Sequence, residues 1–133
     1  MEIKINTRFL SLELDESSNT LVSIWETKAD MREEDYRNLF LKYMEAVQQT
    51  KPQNIIIDAL NARYPISVEL QHWINSMIFP VYEKLAIKKM AIIMSEDFIA
   101  QLSFEQVAEQ IELPGFEISY FVNINKALTW ITE

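Results

Sequence analysis

Between Arg8 and Leu14 the residues F-L-S-L-E-L alternate apolar and polar, the two-residue period of a strand with one buried face. The polar cluster Asp15-Glu16-Ser17-Ser18-Asn19 interrupts it, and L-V-S-I-W-E resumes the pattern from Thr20 to Glu26, so the pair reads as a hairpin. Glu2 to Ile5 adds a short edge segment. The period then changes. Tyr36, Leu39, Phe40, Tyr43, Met44 and Val47 fall three and four apart, which predicts a helix with Asp30 as N-cap, Glu33, Glu34 and Asp35 favouring its positive end, and Pro52 as its stop.

The run N-I-I-I-D-A from Asn54 to Ala59 has the continuous apolar character of a strand covered on both faces. Ser67 caps a second helix with Leu70, Trp73, Ile74, Met77 and Val81 inward, and Pro80 predicts a kink or break within it. K-M-A-I-I-M from Lys89 to Met94 is another buried strand. Ser95 caps a short turn through Asp97, Phe98 and Ile99. Ser103 with Gln106 forms a capping-box pattern ahead of Val107, Ala108 and Ile111. Pro114-Gly115 is a turn, Phe116 to Val122 a strand, and Asn123 or Asn125 caps a last helix through Leu128 and Ile131.

The order β-β-α-β-α-β-α-β-α predicts an α/β domain over residues 1–133. It has a mixed sheet of about five strands, joined by right-handed crossovers, and four main helices. No linker, repeat or low-complexity tract divides it.

Composition removes whole classes of chemistry. The chain of 133 residues has no cysteine, one histidine and one glycine. Disulfides, thiolate metal sites, cysteine nucleophiles, paired imidazoles and Gly-rich phosphate loops are therefore excluded within one chain. A net charge of −8, from 20 acidic against 12 basic residues, argues against nucleic acid and anionic membrane surfaces as partners. The N-terminus lacks the plan of a signal peptide, and no apolar run is long enough for a membrane span. The expectation is a cytoplasmic protein that needs no cofactor or metal.

Ligands of open α/β sheets gather beyond the carboxyl ends of the parallel strands. The richest such loop is D-A-L-N-A-R-Y-P-I-S, from Asp58 to Ser67. Asp58 reads either as a general base or metal ligand, or as a turn-fixing acceptor for loop amides. Asn61 adds an amide; Arg63 could clamp an anion or pair with Asp58 or Glu69. Tyr64, held by Pro65, covers apolar surface. Ser67 serves as a helix cap and, if phosphorylated, would place a dianion at a helix N-terminus, with Glu69 opposing it. His72 falls on the flank of its helix, out of register with Ser67. Trp25 and Trp73 are core residues or, with Tyr64 as a third wall and Arg63 as anchor, the lining of a small apolar or anionic ligand site. A third reading pairs Asp58 with His72 or Arg63 in an enzyme.

Several segments carry a resemblance. They are S-I-W-E and M-R-E-E-D-Y from Ser23, K-P-Q-N-I-I-I-D from Lys51, P-I-S-V-E-L-Q-H-W-I from Pro65, S-E-D-F-I-A-Q-L-S-F-E-Q from Ser95, and the final N-I-N-K-A-L-T-W-I from Asn123. Together they span nearly the whole chain and resemble the STAS, or SpoIIAA-like, superfamily of anti-sigma-factor antagonists, in particular small single-domain bacterial members. The resemblance implies a β/α superhelix and a non-enzymatic regulatory module that binds a protein partner. It also implies a phosphoacceptor serine after the middle strand, within a D-S-S-G-like motif. Ser67 occupies that position, but here the sequence reads P-I-S-V-E-L, with neither a second serine nor a glycine, so only the position carries over. The edge strand of the N-terminal hairpin could also pair across a homodimer axis.

Overall fold

The computed structural model describes residues 2–133, with side-chain detail from Thr7 onward. Six strands form one mixed sheet: β1 (Glu2–Asn6), β2 (Leu10–Asp15), β3 (Thr20–Trp25), β4 (Asn54–Asp58), β5 (Lys89–Ile93) and β6 (Glu117–Phe121), lying side by side in chain order. The first three are antiparallel, and β3 to β6 are parallel. The four helices are α1 (Glu33–Thr50), α2 (Val68–Leu85), α3 (Phe98–Glu109) and α4 (Ile124–Ile131). This is the expected α/β fold, with the N-terminal segment as a sixth strand at the edge.

Strands that follow one another in sequence and in space, joined by crossovers of one hand, put their connecting helices on one face. Accordingly α1, α2 and α3 share a core with Leu12, Leu21, Ile55, Met90 and Ile92. The alternate strand residues Val22, Ile56, Ala91 and Ile93 point the other way, where Ala127 and Ile131 of α4 cover them.

Helix ends show which local signals act. Ser67 is the N-cap of α2, its Oγ accepting the Leu70 N–H at 3.2 Å, and Asn123 caps α4 in the same way through Lys126. The N-cap of α1 is Arg32 rather than Asp30, and it makes no side-chain cap bond. The carboxylates of Glu33, Glu34 and Asp35 sit in the first turn, where they favour the helix dipole. Helix α1 ends at Lys51 in the left-handed region (φ 47°), just before Pro52. Helix α2 runs unbroken through Pro80, which lies on its exposed side, so the expected break is absent.

The largest departure concerns α3. It is one helix capped by Asp97, whose Oδ1 accepts the Ala100 N–H at 3.0 Å. Ser103, expected to open a helix with Gln106, lies buried in the middle of this one. Asp97 precedes it with a side-chain acceptor of its own, and the Ser103 hydroxyl is taken up by Ile66 and Ala100.

Candidate interaction site

The site is the carboxyl end of the parallel strands, built around the 58–67 loop. Asp58 Oδ1 accepts the Leu60 N–H at 3.2 Å, closing a tight turn, and the Ala59 N–H donates to the Ile93 carbonyl at 3.0 Å. Thr27 Oγ1 accepts from the N–H groups of both Arg63 and Tyr64, at 3.2 and 3.3 Å. Ser95 Oγ donates to the Ala62 carbonyl at 2.6 Å and accepts the Asp97 N–H at 3.0 Å, so it grips the loop; the turn expected to run on through Phe98 and Ile99 is replaced there by the start of α3, capped by Asp97. The Ile66 N–H donates to Ser103 Oγ at 3.1 Å. Three hydroxyls from three other segments thus pair backbone groups that the loop itself leaves open.

The predicted residues are placed as follows. Asp58 follows Ile57 in β4 and so leaves the sheet on the α4 side, whereas His72 is exposed on α2 in the opposite layer. The fold does not bring these two together. Asn61 and Arg63 are exposed on the loop. Tyr64 stacks on Tyr36 with ring centroids 4.5 Å apart; burial, followed by the Glu33 carboxylate, pushes its hydroxyl pKa up against the opposing effect of Arg37. Trp73 packs against Phe40 at 5.6 Å and lies under the Arg37 guanidinium at 4.6 Å. Arg37 also pairs with Glu33 at 3.0 Å. Trp25, at the end of β3, is buried, its Nε1 donating to Ser23 Oγ at 3.0 Å and its ring tilted against Tyr36 and Tyr43. It borders a space beneath the helices whose lining includes none of Tyr64, Trp73 and Arg63.

What the sequence reading missed is the orientation of α3. Its N-terminal half buries Ala100 and Ser103, yet exposes Phe98 (76%), Ile99 (58%) and Leu102 (44%). Small residues face inward because the 58–67 loop runs close against this helix, and only a short side chain fits beneath the Ile66 amide. The larger residues are left outside. Val68, 63% exposed, opens α2 two residues after Ile66, and Leu60, also exposed, is joined to the start of α3 by the Glu96 N–H donating to the Leu60 carbonyl at 3.2 Å. These bonds bring together the segments that carry the five exposed apolar residues, and Ser67, also exposed, lies between Ile66 and Val68. Exposed apolar residues scattered singly are ordinary; five on adjoining segments are not. Helical spacing alone could have grouped Phe98, Ile99 and Leu102; which face pointed outward could not be read from it.

Glu69 lies in the first turn of α2, Glu96 and Asp97 immediately precede α3, and Arg63 is the one basic residue of the loop. Among the described residues no three metal-ligating side chains come together, and no helix is long and apolar enough to cross a membrane. Comparison with family models, with curated proteins and with solved structures finds no match for this chain.

Proposed function

We propose that this chain is a non-enzymatic regulatory module of STAS-like fold that acts by binding a protein partner through the surface beside Ser67. The observation that carries this reading is the outward turn of Phe98, Ile99 and Leu102. Exposing these side chains forfeits burial worth about 1.5–3 kcal/mol for each large apolar residue, which a partner would recover. The carboxylates of Glu69, Glu96 and Asp97 at the starts of α2 and α3 suit a partner segment with apolar anchors and basic flanks. They also disfavour a second copy of this acidic chain.

Ser67 supplies the regulatory element of the proposal. Ser67 is exposed at the start of α2, where its Oγ accepts the Leu70 N–H. A phosphate there would gain from the amides at the helix start and would alter the charge at the border of the apolar surface.

The test compares the protein with the Phe98→Glu/Leu102→Glu variant and with a Leu41→Glu control, since Leu41 is an exposed apolar residue on α1. Native mass spectrometry of each, isolated from its own cells after mild crosslinking, should show one partner with the native chain and the control but not with the double variant. Complexes that survive unchanged in the double variant would remove the proposal. Comparing Ser67→Ala in the same experiment reports whether a phosphate increment is present and depends on that residue.

A further inference from the structure

The helical layer does not sit flush on the sheet. Beneath it lies a cavity of about 70 Å³, bordered by Ile57 and Ile92 of the sheet, Ile78 of α2, and Phe104 and Ala108 of α3. Ile57 is only half-buried, although Ser23 and Ile92, its neighbours across the sheet on that face, are buried. The space above it accounts for the difference. The volume would accommodate about two waters, but each water needs two to four polar partners. These walls are hydrocarbon and aromatic ring, and no charged residue lines them.

One polar feature reaches this space. Tyr43 Oη and Tyr82 Oη, both buried and both on the cavity wall, lie 2.6 Å apart. One hydroxyl proton is shared between them. The other has only the Met90 thioether, 4.0 Å from the Tyr82 oxygen, and sulfur at that distance is a weak acceptor. The pair therefore holds one more donor than it has good acceptors. Burial keeps both phenols neutral, so the cavity offers a hydrogen bond without a counter-charge.

Beside the cavity, helices α2 and α3 are also bridged by side-chain amides: Gln71 Nε2 donates to Gln106 Oε1 at 2.8 Å, and Asn75 Nδ2 donates to Gln110 Oε1 at 3.0 Å.

We infer that the cavity is a binding site for a small neutral organic molecule, held by the spare proton of the Tyr43–Tyr82 pair. Such a ligand has about three non-hydrogen atoms and a single hydrogen-bond acceptor. This site is separate from the proposed partner surface and stands or falls without it.

Methyl NMR of the full chain, titrated with dimethyl ether and in parallel with propane, tests it. The two probes share a shape and differ in having or lacking the acceptor. Saturable shifts are expected at the Met90, Ile57 and Ile78 methyls, with the ether binding about tenfold more tightly. Tyr43→Phe/Tyr82→Phe should abolish that preference while leaving the hydrocarbon bound, because removing both hydroxyls strands no partner. Ala108→Leu should fill the space and remove both titrations; Ala108→Val, a smaller intrusion, serves if the leucine variant is unfolded by its own spectrum. Absence of saturable shifts, shifts that persist in the folded filled variant, or equal affinity for the two probes would each overturn the inference.

Discussion

Ser103 Oγ accepts the Ile66 N–H at 3.1 Å and donates to the Ala100 carbonyl at 2.7 Å, so one buried hydroxyl ties the loop before α2 to the middle of α3. This bond sets how closely loop and helix approach, and hence which side chains of α3 are turned outward. The apolar surface beside Ser67 depends on it.

Ser103→Ala should therefore cost about 1–3 kcal/mol, because it leaves the buried Ile66 N–H without an acceptor. Ser76→Ala, which removes an exposed hydroxyl bonded to the Trp73 carbonyl, should stay within about 0.5 kcal/mol. Urea denaturation of the two variants measures the contrast, and equal midpoints would show that the Ser103 bond is not a significant tie.

At Ser67 the cap and the charge can be separated. Ser67→Ala loses the acceptor for the Leu70 N–H and should destabilise the protein by about 1 kcal/mol. Ser67→Asp keeps a capping oxygen and should hold stability near that of the parent, while adding the negative charge that a regulatory phosphate would bring. Thermal unfolding distinguishes them; an aspartate variant as unstable as the alanine variant would show that the cap geometry does not tolerate the carboxylate.

The buried tyrosines set an alkaline limit. Burial raises the hydroxyl pKa of Tyr36, Tyr43 and Tyr82 above the ordinary 10.0. A raised pKa in the folded state means that stability is constant below pH 10 and falls as pH rises above it, because only the unfolded chain then releases these protons. Each tyrosine contributes a slope of about 1.4 kcal/mol per pH unit in that range. Denaturant titrations from neutral to strongly alkaline pH should give a steep loss that starts near the ordinary tyrosine pKa. Tyr43→Phe/Tyr82→Phe should make it shallower.

Pro80 cannot donate to the Ser76 carbonyl one turn earlier, yet α2 continues through it on its exposed side. Pro80→Ala restores that donor at a site with no buried contact to lose. It should stabilise the chain by about 1 kcal/mol, less than the full helix-interior penalty because the unfolded chain also gains freedom. A lower denaturation midpoint in the alanine variant would show that the proline is instead needed to shape the helix.

Much of this protein was legible in one dimension. The alternation around Leu12 and Val22 and the helical spacing from Tyr36 to Val47 each depend on neighbours within a few residues. So do the Ser67 cap, the turn closed by Asp58 and the Asn123 cap. Such signals act locally, and tertiary structure only reinforces them. Where two local signals competed, the reading failed. Asp30 was passed over for Arg32, and the Ser103–Gln106 pattern lay inside a helix that Asp97 had already begun.

The rest was decided by pairings across the chain. Parallel pairing of β4 with β5 brings the 58–67 loop beside the start of α3, and there hydroxyls some 30 to 40 residues distant supply its missing hydrogen bonds. That approach admits only Ala100 and Ser103 beneath the loop and drives Phe98, Ile99 and Leu102 into solvent, against the usual inward preference of large apolar residues. The cavity under the helices arises in the same way, from how three helices seat on one sheet face, a fit that depends on side-chain volumes contributed by every layer at once. Periodicity along the chain specifies faces; only packing in three dimensions determines which of them finds a partner within the same molecule.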